Sequence, residues 1–79
     1  MELSEKQVDG AAILVVAGRI NMATADEFRD RVLAAMSRGL PVVIDFSGVD
    51  YISSAGLRGL MLAAKQSRST GTKVAVAAG

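Results

Sequence analysis

Sixteen residues, Val42 to Leu57 (VVIDFSGVDYISSAGL), constrain the fold of this chain more than any other stretch. Val42-Val43-Ile44 is an unbroken β-branched run, the pattern of an interior strand covered on both faces of its sheet. It is expected to end at Asp45, because Ser47, Gly48 and Asp50 supply turn chemistry while neighbouring apolar side chains stay inward. Ser53 or Ser54 then caps a helix whose first turn holds Ala55, Gly56 and Leu57. A hydroxyl at the carboxyl end of a central strand, on the first turn of a helix, lies where α/β proteins place their working groups.

The flanking sequence supplies the rest of the sheet. Leu3 to Val8 alternates weakly, and Asp9-Gly10 is a strong turn pair leading into Ala11 to Ala17, so the two strands form a hairpin. Gly18-Arg19-Ile20-Asn21 closes the second strand. Thr24-Ala25-Asp26-Glu27 then spells a capping box for a helix with apolar positions Ala25, Phe28, Val32, Ala35 and Met36, ending near Arg38-Gly39. Pro41 opens the third strand. The second helix runs to about Ser69, with Leu57, Leu60, Met61 and Ala64 as its apolar stripe. Gly56 and Gly59 weaken that helix by up to about 1 kcal/mol each relative to alanine, which close approach to the sheet or to a partner would offset. Lys73 to Ala77 begins a last strand. The element order is β-β-α-β-α-β, an α/β fold with a mixed four-stranded sheet and both helices on one face.

What the chain lacks narrows the chemistry. Cysteine and histidine are both absent, which removes disulfides, Cys/His zinc sites, thiol nucleophiles and imidazole acids or bases. No base to activate Ser54 and no oxyanion-type site can be assembled, so the chain is read as no enzyme. Asp45 and Asp50 are more readily turn formers than Mg²⁺ ligands, and neither a metal nor a cofactor is expected. With no long apolar run and no signal-like amino terminus, the chain is expected to be cytoplasmic, without membrane insertion. The net charge is +1, yet residues 51–79 carry Arg58, Lys65, Arg68 and Lys73 and no acid. That imbalance marks either a solvated helix face or a binding face; without interleaved aromatics it is a poor nucleic-acid surface.

Asp45 to Leu57, preceded by Gly18-Arg19-Ile20-Asn21 at the end of a strand, resembles the STAS domain, specifically the bacterial anti-sigma factor antagonists. The resemblance covers nearly the whole chain in element order and is strongest over residues 41 to 65. It implies a phosphorylation-switched binding module in a partner-switching pathway that regulates transcription. Its partners would be an anti-sigma factor that is a serine kinase and a serine phosphatase of the metal-dependent class. By position the phosphoacceptor falls on Ser54, with Ser53 as the alternative. Asn21, Asp45, Ser53, Ser54, Gly56 and Arg58 are the expected partner-binding residues. Ser53 and Asn21 stand where many relatives carry aspartate, so an amide replaces any carboxylate beside the loop.

The resemblance also implies a helix, a strand and a final helix beyond the point where this chain ends, so residues 1–79 read as a single STAS-like domain shortened at its carboxyl end. Two helices then leave apolar surface uncovered, and a homodimer or additional residues are expected to cover it. A second class of function is an accessory or scaffold STAS subunit of a stress-signalling assembly or of a membrane lipid transporter. The serine loop favours the first class.

Overall fold

Asp9 and Gly10 both adopt positive φ, 50° and 79°, the combination that a two-residue hairpin with the right-handed twist of its strands requires. They join β1 (Glu2–Val8) to β2 (Ala11–Ile20) in an antiparallel pair from Glu2↔Ala17 to Val8↔Ala11. A computed structural model describes residues 1–78. In it β2 is followed by α1 (Ala25–Met36), β3 (Val42–Ile52), α2 (Ser54–Thr70) and β4 (Val74–Ala77). The sheet order is β1-β2-β3-β4, with β2 parallel to β3 and β3 parallel to β4. The expected β-β-α-β-α-β order and mixed four-stranded sheet are therefore present, and Val42 to Ile44 lies in a central strand.

Burial shows how the layers meet. Ala12, Leu14 and Val16 of β2 and Val42 and Ile44 of β3 are fully enclosed, together with Phe28, Val32 and Ala35 of α1. The alternate positions Ile13, Val15 and Val43 are only half-buried. Both helices thus cover one face. The continuous apolar runs do not signal burial on two faces; they alternate between an enclosed side and a half-open one. Each large enclosed side chain, such as Phe28 or Leu14, contributes about 1.5–3 kcal/mol over exposure.

Three further expectations are corrected. First, β3 does not end at Asp45 but continues to Ile52, pairing Gly48↔Ala17, Val49↔Gly18, Tyr51↔Arg19 and Ile52↔Ile20 across two register shifts. The turn-type residues lie where β3 has β2 on one side only, because β4 reaches no further than Ala77 opposite Asp45. A strand with one open edge tolerates serine, glycine and aspartate.

Second, the Thr24 capping box does not form. Thr24 is the N-cap but makes no side-chain bond to the helix amides; its hydroxyl accepts from the Asn21 N–H at 3.0 Å.

Third, α2 buries Gly56, Gly59 and Ala63 and not the stripe Leu57, Leu60, Met61 and Ala64. Leu60 is half-buried and Ala64 exposed, while Leu57 and Met61 are 48% and 71% exposed. The reason is proximity. A Cβ at Gly56 would stand 2.8 Å from both Ile20 Cγ2 and Ile52 Cγ1, and one at Gly59 would stand 3.3 Å from Arg29 Cβ. Only the smallest residues fit against the sheet and α1.

Candidate functional site

The parallel ends of β2 and β3 bring two chain reversals side by side. Ile20 pairs with Ile52, and the Ser53 N–H donates to the Ile20 carbonyl at 2.8 Å, which fixes the start of α2 against the segment entering α1. Ser53 has extended backbone, and its Oγ accepts from the Gly56 N–H at 3.2 Å. This satisfies one of the amides that the first turn of a helix otherwise leaves unpaired. Ser53 is 8% exposed and its hydroxyl is committed to the cap. Ser54, the first residue of α2, is exposed. The two serines thus have different environments: one closes the helix and the other faces solvent. A modifying enzyme can reach Ser54 without unmaking the cap.

Asn21 sits at the neighbouring reversal. Its Oδ1 accepts from the N–H groups of Ala23 and Thr24, at 2.9 and 3.2 Å, so the side chain shapes the loop before α1 by the hydrogen-bonded turn typical of asparagine. Arg58 is exposed one turn after Ser54, on the same side of the helix because residues four apart are neighbours. Gly56 is buried beneath this surface, close against Ile20 and Ile52.

Asp45 is not brought to this end. Seven residues of β3 separate it from Ser53, a span of more than about 20 Å at strand rise even with bulges. Phe46 packs on Phe28 of α1 with ring centroids 5.8 Å apart, so Asp45 occupies the opposite face. There it accepts from the Ser47 N–H at 2.9 Å and the Ser47 hydroxyl at 2.7 Å. These bonds, with a smaller contribution from Lys6, hold its carboxyl below the ordinary 3.8 against a weak opposing effect of burial. A depressed folded-state pKa means that the stabilisation is present above the ordinary value and is lost as pH falls through the folded one. Accordingly, the Asp45 carboxyl followed by NMR should titrate below a free aspartate, and Ser47→Ala should return it towards that value.

Residues at this end that the sequence did not single out are Met22, 85% exposed, and the Arg19–Tyr51 pair, with the guanidinium 4.4 Å from the ring centroid. Arg19 and Tyr51 are 32 positions apart, and only the register of β2 on β3 makes them neighbours. Among the described residues no helix is long and apolar enough to cross a membrane.

Comparison with known proteins agrees with this geometry. A family model described as Mlab, STAS domain matches residues 3–78. The chain is 41% identical over 69 residues to BtrV of Bordetella bronchiseptica, a protein assigned as an anti-sigma factor antagonist; the match covers 86% of this chain and 60% of that protein. The crystal structure of an anti-sigma factor antagonist from Mycobacterium paratuberculosis superposes with a TM-score of 0.86 at 28% identity, over 98% of this chain and 66% of that one. The Bacillus cell fate determinant SpoIIAA in its phosphorylated form shares the fold, with a TM-score of 0.74 at 10% identity over 92% of this chain and 68% of its own. The chain spans less than two thirds of the length of the Bordetella and Mycobacterium relatives.

Proposed function

The chain belongs to the STAS domain family, and from that membership we propose that it acts as an anti-sigma factor antagonist, a protein-binding module rather than an enzyme, working in the cytoplasm and switched by phosphorylation of Ser54. The observation that carries the reading is the division of labour between the adjacent serines: Ser53 is buried in the helix cap while Ser54 is exposed on the first turn. The partner would be an anti-sigma factor serine kinase, with a metal-dependent serine phosphatase resetting the cycle. Asn21, Ser54 and Arg58 lie at the docking end, with Met22 beside them.

The test is phosphorylation by a cognate kinase with ATP, read by intact mass. One phosphate is expected on the wild type, none on Ser54→Ala, and one on Ser53→Ala. Phosphate retained by Ser54→Ala and lost from Ser53→Ala would overturn the assignment of the site.

A second reading keeps the same docking end without a kinase: an accessory subunit of a stress-signalling assembly or lipid transporter. It draws on Ser53 and Asn21, two uncharged residues where the family resemblance implies aspartate. A kinase-like ATPase or phosphatase among the neighbouring genes supports the first reading, and a lipid-transporter operon the second.

Self-association of these 79 residues is part of the proposal, with further residues that cover the same surface as its alternative. Leu57 and Val76 are about half exposed, and β4 is an edge strand whose unpaired amides and carbonyls can pair with another chain. Light scattering is expected to give a mass that rises with concentration. Val76→Lys should return it to the monomer value.

A further inference from the structure

A groove of about 470 Å³ runs between α1 and α2 on the side away from the sheet, lined by Arg29, Arg58, Met61, Leu62, Lys65 and Arg68 among others. Met61 and Leu62 are large apolar side chains exposed by 71% and 42%. Arg58, Lys65 and Arg68 make no ion pair among the described residues, whose salt bridges all involve Arg29 or Arg38. Asp26, the one acid in the lining, is already held by Arg29 at 3.3 Å. Ser54, Arg58, Met61 and Lys65 follow a spacing of four, three and four, which places them along one face of α2. The proposed phosphoacceptor therefore stands at one end of a basic and apolar strip.

We propose that this groove is the seat of an acidic amphipathic helix on the partner protein, a reading that rests on the binding-module function above and specifies what the partner must present. Apolar residues at helical spacing would cover Met61 and Leu62, the mode by which a helix lies in a groove between two others. Flanking Asp and Glu side chains would meet Arg58, Lys65 and Arg68. A second copy of the chain does not fit, because a twofold contact would set these bases against themselves. An anionic membrane fits poorly, because the groove between the two helices is concave and a bilayer surface is flat. The charge sign also explains the switch: phosphate on Ser54 adds about −1.5 to −2 charges at the mouth of a groove that receives acids.

A phage-displayed library of 15-residue helical peptides, selected on the immobilised full chain, tests this without any kinase and so separates its failure from that of the phosphorylation reading. Enriched peptides should be net acidic, with apolar residues at i, i+3 or i+4, and i+7. They should bind Arg58→Glu/Lys65→Glu at least tenfold more weakly, and Ser54→Asp several-fold more weakly. The circular dichroism of both variants should be unchanged, since all three positions are exposed. NMR amide shifts induced by the best peptide should fall on Arg58 to Arg68 and on Arg29. Neutral or basic winners, no winners, binding indifferent to the charge reversal, or sedimentation of the chain with phosphatidylglycerol vesicles but no peptide binding would each overturn the proposal.

Discussion

Ser54→Asp is expected to lower affinity for the proposed partner kinase by a hundredfold or more while leaving the thermal midpoint nearly unchanged. Ser54 is exposed and makes no contact that the fold depends on; a negative charge on the first turn of α2 is favourable to the helix by about 0.3–1 kcal/mol. The same charge buried without a partner in an interface costs several kcal/mol. Every 1.4 kcal/mol is about a tenfold change in the dissociation constant, so roughly 2.7 kcal/mol suffices for the expected loss. Ser53→Ala should do the opposite. It removes the cap on Gly56 and should cost about 1 kcal/mol of stability, with phosphorylation of Ser54 preserved. Isothermal titration calorimetry against the kinase and denaturant unfolding, applied to both variants, separate the two effects. A Ser54→Asp protein that unfolds, or one that binds as well as wild type, would show that the serine does not act through the interface.

Much of this architecture is legible in the residues because local and global signals agree. Asp9-Gly10 has one hairpin geometry open to it, and Phe28, Val32, Ala35 and Met36 recur at helical spacing and are all buried. The serine pair at the start of α2 is legible for the same reason. The errors have physical causes. Ser47, Gly48 and Asp50 look like a loop because turns and half-open strands draw on the same small polar residues, and only pairing with β2 distinguishes them. The continuation of β3 to Ile52 also sets Asp45 apart from the two serines along the strand.

The Thr24 box fails because the hydroxyl has a competing amide at Asn21. The stripe on α2 was displaced because periodicity follows large apolar side chains, whereas a helix held this close to its sheet buries its smallest ones. Arg19, Tyr51 and Met22 carry no local signal of being neighbours; strand register and loop exposure bring them to the end of the sheet where α2 begins.

The small inward face of α2 yields the other large effect, at Gly56. Gly56→Val should destabilise the domain by about 3 kcal/mol, the upper part of the usual range for overpacking. Its Cβ would lie 2.8 Å from Ile20 Cγ2 and from Ile52 Cγ1. Both are branches of β-branched side chains, which have few alternative rotamers, and Ile20 is fully buried. Relief then requires α2 to move away from β2 and β3, which would also strain the Ser53 N–H bond to Ile20. The 79 residues given contribute on the order of 4–12 kcal/mol of stability at 0.05–0.15 kcal/mol per residue, so the loss is a large fraction of that.

Gly56→Ala meets the same contact with one atom and gains about 1 kcal/mol of helix propensity, so its net effect should be smaller. Urea unfolding gives both values from the shift in midpoint at constant slope. If Gly56→Val kept wild-type stability and lost only kinase binding, the glycine would be making room for a partner. The packing of α2 on Ile20 and Ile52 would then not be what holds Ser54 in place.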